Sequence, residues 1–145
     1  PNFAMNSAAS VILTWPAVRW WGPMVAGTQR SFEASNEGHK AYWTNSYPTV
    51  ALMPMAALVK AVDDTDLGRA KIPALFVISD QDKVVSPTKN REVAEEWGGE
   101  SELIALTMGE GDDPFSHVIA GDILSPGQTD MVVSKMLEWI NSVLQ

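Results

Sequence analysis

Two uninterrupted apolar runs, Ala74-Leu75-Phe76-Val77-Ile78 after Pro73 and Leu103-Ile104-Ala105-Leu106, constrain this chain more than any other feature. Runs without alternation suit strands covered on both faces, as in a parallel sheet. Between them, Ser86-Pro87 reads as an N-cap and first helical residue, and Val93 and Trp97 at i, i+4 provide an inward face. Gly98-Gly99 then stops the helix. Strand, helix and strand within about 35 residues form a βαβ crossover, which is right-handed with parallel strands in nearly all sheets. The expected fold class is therefore α/β. A last helix is predicted from about Asp130 to Leu144, with Val132, Met136, Trp139, Ile140, Val143 and Leu144 as one apolar stripe.

The first half reads differently. Residues 1–69 hold five of the nine prolines (1, 16, 23, 48 and 54) and four of the six tryptophans (15, 20, 21 and 43). No alternation of period 2 persists there, so short helices and loops are expected. The clearest is Pro54–Val62, with proline in the first turn and Met55, Leu58, Val59 and Val62 at helical spacing. Two segments result: 1–69, mainly helical, and 70–145, a βαβα unit. Two parallel strands alone do not make a stable sheet. Either the first segment covers them, or a partner does: a second copy, or strands outside these 145 residues.

Composition narrows the function classes. The 46% hydrophobic and 19% charged residues are those of a globular chain. A net charge of -8 argues against nucleic acid or an anionic membrane surface as partner. No cysteine is present, which removes thiolate nucleophiles and cysteine metal sites. No apolar run reaches the roughly 18 residues of a membrane span.

Functional groups of open α/β sheets gather at the carboxyl ends of the strands. Ser79-Asp80-Gln81-Asp82-Lys83-Val84-Val85 follows the first run, and Gly109 to Val118, with His117, follows the second. An acid and a histidine leaving adjacent strand ends can form the carboxylate–imidazole half of a proton relay.

The residues here resemble those of the α/β-hydrolase superfamily. "KIPALFVISDQDKVVSP" looks like the seventh strand and acid turn of that family, "FSHVIAGD" like its catalytic-histidine loop, and "DMVVSKMLEWINSVL" like its closing helix. The resemblance covers residues 66–145 and is only positional over 1–65, where Pro1-Asn2-Phe3 would follow the sixth strand and the Trp- and Met-rich stretch would be an inserted helical cap. It implies the C-terminal portion of a doubly wound sheet. It also implies Asp82 as triad acid and His117 as base, with Asp80 the rival acid. Ser79 stands where the family has glycine.

The family's nucleophile elbow, G-x-S-x-G, precedes the acid and histidine, and no such pattern occurs in these residues. The reading is thus a serine hydrolase of the carboxylesterase, monoacylglycerol lipase or lysophospholipase kind. This chain supplies acid and histidine but no nucleophile, and is expected to be inactive alone. A small-molecule ester, with a lipophilic acyl group, is the implied substrate. Trp20, Trp21, Met24 and Trp43 are the candidate substrate-binding residues. Neither a metal nor an organic cofactor is implied. Glu110, Asp112 and Asp113 read as solvated charge, and His39 in "NEGHK" as a solvated histidine. Two alternatives stand beside this: a non-catalytic binding or assembly module derived from a hydrolase, and epoxide, haloalkane or carbon–carbon bond hydrolysis on the same fold.

Overall fold

A computed structural model of the chain describes residues 15 and 17–145. It forms two compact units, the first ending at Thr65 and the second spanning Asp66–Gln145. The Pro1-Asn2-Phe3 expectation lies outside the described residues.

In the first unit, α1 spans Val18–Ala26, with Pro23 inside it, and ends at Gly27, whose φ of 78° suits a residue without a Cβ. A ribbon follows, in which β1 (Gln29–Ser31) pairs antiparallel with β2 (Ser46–Pro48). The sequence reads only short helices and loops here. These strands are three residues long and mostly exposed, so no buried face imprints an alternation on them. Between them lies α2, Glu37–Tyr42, N-capped by the Asn36 side chain, which accepts the His39 N–H. The predicted helix at 54–62 is present as α3, Leu52–Asp63. Its buried position is Ala56, whereas Leu58, expected on the inward stripe, is exposed.

His39 corrects a sequence reading. It is buried, not solvated; its Nδ1 accepts the Ser35 N–H at 3.1 Å. Its ring lies 5.6 Å from that of Phe32 and edge-on to Trp43 at 5.3 Å. The polar letters around it belong to a helix cap, whose geometry turns the imidazole inward.

The second unit carries the crossover. Strands β3 (Ala74–Ser79) and β4 (Ser101–Leu106) pair in parallel, in a register running from Ala74 opposite Ser101 to Ser79 opposite Leu106. Helix α4, Pro87–Glu96, connects them, and the Ser86 side chain accepts the Lys89 N–H as its cap. The second unit is thus mixed α/β, with a two-stranded parallel sheet among the described residues. Phe76, Ile78, Val85, Val93, Ala94, Leu106, Leu124 and Val132 form its core. Val93 is nearly inaccessible, and burying a side chain of that size contributes about 1.5–3 kcal/mol.

Gly98-Gly99 does more than stop α4. A Cβ on Gly98 would fall 1.8 Å from the Gly68 carbonyl oxygen, and one on Gly99 2.5 Å from that of Ile72. The chain entering β3 therefore crosses backbone-to-backbone against the chain leaving α4. The crossing is sealed by Gly98 N–H donating to the Leu67 carbonyl at 3.1 Å and by the Trp97 indole N–H donating to the Ile72 carbonyl at 2.8 Å. Trp97, just past the helix end, also packs edge-on against Phe76 at 5.7 Å. The turn Leu67–Arg69, capped by Asp66, is part of this crossing, so the second unit starts ahead of residue 70, where the sequence pattern changes.

Helix α5, Thr129–Val143, buries Val132 but leaves Met136, Leu137 and Ile140 exposed. Of its sequence stripe only Val132 is buried, with Trp139 and Val143 partly covered. Strand β4 is likewise only partly covered, with Ala105 exposed although its run reads as two-faced.

Candidate acid–histidine site

Because Ser79 and Leu106 face each other across the sheet, the segments after β3 and β4 emerge side by side. The first turns at once. Asp82 N–H donates to the Ser79 carbonyl at 3.3 Å, and the buried Ser79 hydroxyl accepts the Gln81 N–H at 3.2 Å. This turn sends the Asp82 side chain inward, where it is buried. One carboxylate oxygen, Oδ1, accepts the N–H groups of Val84 and Val85 at 2.7 and 2.9 Å. The other, Oδ2, lies 2.9 Å from His117 Nδ1. Both oxygens are thereby engaged, and Val84-Val85 serves the acid through its backbone as well as the core through the buried Val85.

The second loop is stitched to the first. Lys83 donates its backbone N–H to the Phe115 carbonyl at 3.0 Å and its ammonium to the Pro114 carbonyl at 2.8 Å. Ser116 adopts a positive φ of 53°, the one non-glycine residue to do so among those described, and carries the chain sharply into His117. The His117 side chain is 37% exposed while its partner Asp82 is 7% exposed. One end of the imidazole is therefore held by a buried carboxylate while the ring stays open to solvent. A carboxylate at Nδ1 selects the tautomer with the proton on Nδ1, which leaves Nε2 able to accept one.

Asp80, the rival acid, points elsewhere. Its carboxylate takes a two-pronged contact from Arg91, at 3.0 Å from Nε and 2.6 Å from Nη2. The guanidinium hydrogen bond holds the Asp80 carboxyl below its usual value. Asp80 is thus engaged on the exposed surface of α4, and Asp82 is the acid that meets the histidine.

The acidic loop also departs from its sequence reading. Asp113 is buried rather than solvated, and its carboxylate accepts three backbone N–H groups. Asp112 accepts from the Gln128 side-chain amide and the Gly109 N–H, both at 2.8 Å, and these bonds lower its carboxyl below the ordinary value. The signal for this was present: an aspartate before Pro114 at the start of a turn can accept hydrogen bonds from the backbone just after it. Among the described residues no cluster of three or more histidines or carboxylates is placed to hold a metal ion. No helix among them is long and apolar enough to cross a membrane.

Trp20, Trp21, Met24 and Trp43 lie in the first unit, and all four are exposed. Trp20 and Met24 stand one turn apart on α1, while Trp43 follows α2 and packs against His39.

No protein-family model matches the chain, and no curated protein matches it.

Proposed function

We propose that Asp82 and His117 are the acid and base of a Ser-His-Asp relay in an α/β-hydrolase that cleaves carboxylic esters, with the nucleophilic serine supplied from outside these 145 residues. The observation that carries this reading is the 2.9 Å contact between a buried carboxylate and the Nδ1 of a part-exposed imidazole, made by loops leaving adjacent parallel strand ends. The sequence resemblance implies the same two roles for these residues.

On this reading, His117 Nε2 takes the proton from the serine hydroxyl as its oxygen attacks the ester carbonyl. It returns that proton to the leaving alkoxide, and then activates water to release the acid. Asp82 holds the ring's orientation and stabilises the imidazolium. The relay calls for neither metal nor organic cofactor. The exposed apolar residues of the first unit, Trp20, Trp21, Met24 and Trp43 among them, favour a lipophilic ester. The half-packed face of α5 supports a partner that carries the nucleophile, a second copy being the other outcome of a sedimentation measurement.

The test is turnover of a short-chain p-nitrophenyl ester by the protein joined to its G-x-S-x-G segment. H117A should remove most activity, D82N should lower it on the order of 10⁴-fold, and D80N should change it little. Full activity in H117A would overturn the proposal. The present chain alone should give no turnover above a blank.

A further inference from the structure

Beyond the two residues of the pair, the structure assigns a third carboxylate the task of aiming the histidine: we infer that Asp113 is a positioning residue for His117. Its effect on turnover rests on the reading of His117 as a base; its effect on the Asp82–His117 contact does not.

The Asp113 side chain is 7% exposed and points into its own loop. Oδ1 accepts the Phe115 N–H at 3.1 Å, and Oδ2 accepts the N–H groups of both His117 and Val118 at 2.9 Å. One carboxylate thus fixes the backbone on both sides of Ser116 and at the histidine itself. Without such a clamp the left-handed Ser116 would keep only its own N–H bond to the Asp113 main-chain carbonyl at 2.8 Å, and a relaxation of its φ would swing the His117 Cα–Cβ bond away from Asp82. Asp113 is in turn fixed from behind. Its N–H donates to the Ser125 hydroxyl at 3.1 Å, and that hydroxyl, wholly buried, donates to the Val118 carbonyl. Ser125, Asp113 and the His117–Val118 backbone form a closed ring of hydrogen bonds behind the imidazole.

Every bond that the Asp113 carboxylate makes to the loop is an acceptor bond to the main chain, and none reaches the imidazole ring. The role is therefore one of geometry, and acceptor count should govern it rather than charge. D113N can keep its one carbonyl oxygen on the His117 and Val118 N–H groups and turn its amide toward Phe115, losing one bond. D113A loses all three.

The experiment is imidazole NMR of the full chain, following the hydrogen-bonded Nδ1 proton of His117 and its exchange with water. Far-UV circular dichroism verifies the fold at the temperature used. In the parent protein that proton should be a resolved, slowly exchanging signal. In D113N its exchange should be on the order of tenfold faster, the factor that one lost hydrogen bond allows. In D113A the signal should disappear, with the ring sampling both tautomers. D80N, which removes a nearby surface charge, should leave it unchanged. Exchange in D113N equal to the parent's would overturn the inference, and that variant decides the matter if D113A fails to fold. Equal loss in D113N and D113A would also overturn it, because charge would then be the operative property. The exchange changes expected in D113N and D113A, with esterase activity absent from the protein joined to its G-x-S-x-G segment, would instead count against the hydrolase reading alone.

Discussion

Replacing Gly98 by alanine tests whether the crossing between the entry to β3 and the exit from α4 is as tight as its geometry implies. The new Cβ would start 1.8 Å from the Gly68 oxygen, and ordinary contact begins near 3.4 Å, so the two backbones must part by 3.4 − 1.8 = 1.6 Å along that line. The Gly98–Leu67 hydrogen bond, at 3.1 Å, cannot survive such a movement, and the Trp97–Ile72 bond beside it is pulled in the same direction. Two bonds at about 0.5–1.5 kcal/mol each, with the loss of the Phe76–Trp97 ring contact at about 0.5–1.5 kcal/mol, give about 1.5–4.5 kcal/mol. Alanine restricts the unfolded chain and returns up to about 1 kcal/mol. The net expectation is a destabilisation of about 0.5–4.5 kcal/mol, whose middle, about 2.5 kcal/mol, is a large part of a domain's stability. Urea unfolding followed by tryptophan fluorescence measures it, with G109A as control, since a Cβ there meets two side-chain ends in ordinary contact, the Asp112 carboxylate at 3.4 Å and the Gln128 amide at 4.0 Å. A G98A midpoint indistinguishable from that of G109A would refute the reasoning.

Other outcomes follow from the same contacts. D82A strands three donors, the Val84 and Val85 amides and the His117 ring, and should cost about 2–5 kcal/mol, whereas D82N keeps an oxygen for the two amides and should cost under about 1.5 kcal/mol. Equal unfolding midpoints for the two variants would contradict this. S125A leaves the Val118 carbonyl and the Asp113 N–H without their shared partner and should lose about 1–3 kcal/mol in the same assay. Asp112 has a carboxyl lowered by folding, so the stability it contributes is complete above 3.8, the ordinary value, and is lost as pH falls further. Thermal midpoints of the parent and D112N should therefore differ at neutral pH and converge on acidification; a gap that widens toward acid would reverse the sign.

The crossover was legible because its cues are local: two apolar runs, a Ser-Pro cap and a Gly-Gly stop. The acid–histidine contact was legible only through topology. Asp82 and His117 are 35 residues apart, and nothing short of a parallel pairing with Ser79 opposite Leu106 brings them together. What escaped the sequence were the roles set by distant backbone. Gly98 reads as a helix stop because the carbonyl crossing it comes from Gly68, and Asp113 reads as surface charge because its three donors become neighbours only once the loop has folded. His39 escaped for a related reason, since the Asn36 cap three residues before it and the Ser35 N–H on its Nδ1 decide which way its ring turns.

The pairing of Asp82 with His117 is complete within one unit of the chain, and the loops that carry it are tied to each other by Lys83 as well as to their own strands. Freezing an imidazole into one rotamer and one tautomer has an entropic cost, and here folding meets it before any other group approaches. An incoming nucleophile would find a ring already oriented, so its encounter would resemble docking to a rigid surface rather than assembly of a site from mobile parts. The strength of such an encounter would then depend on how well the two surfaces fit, with little drawn off to order the histidine.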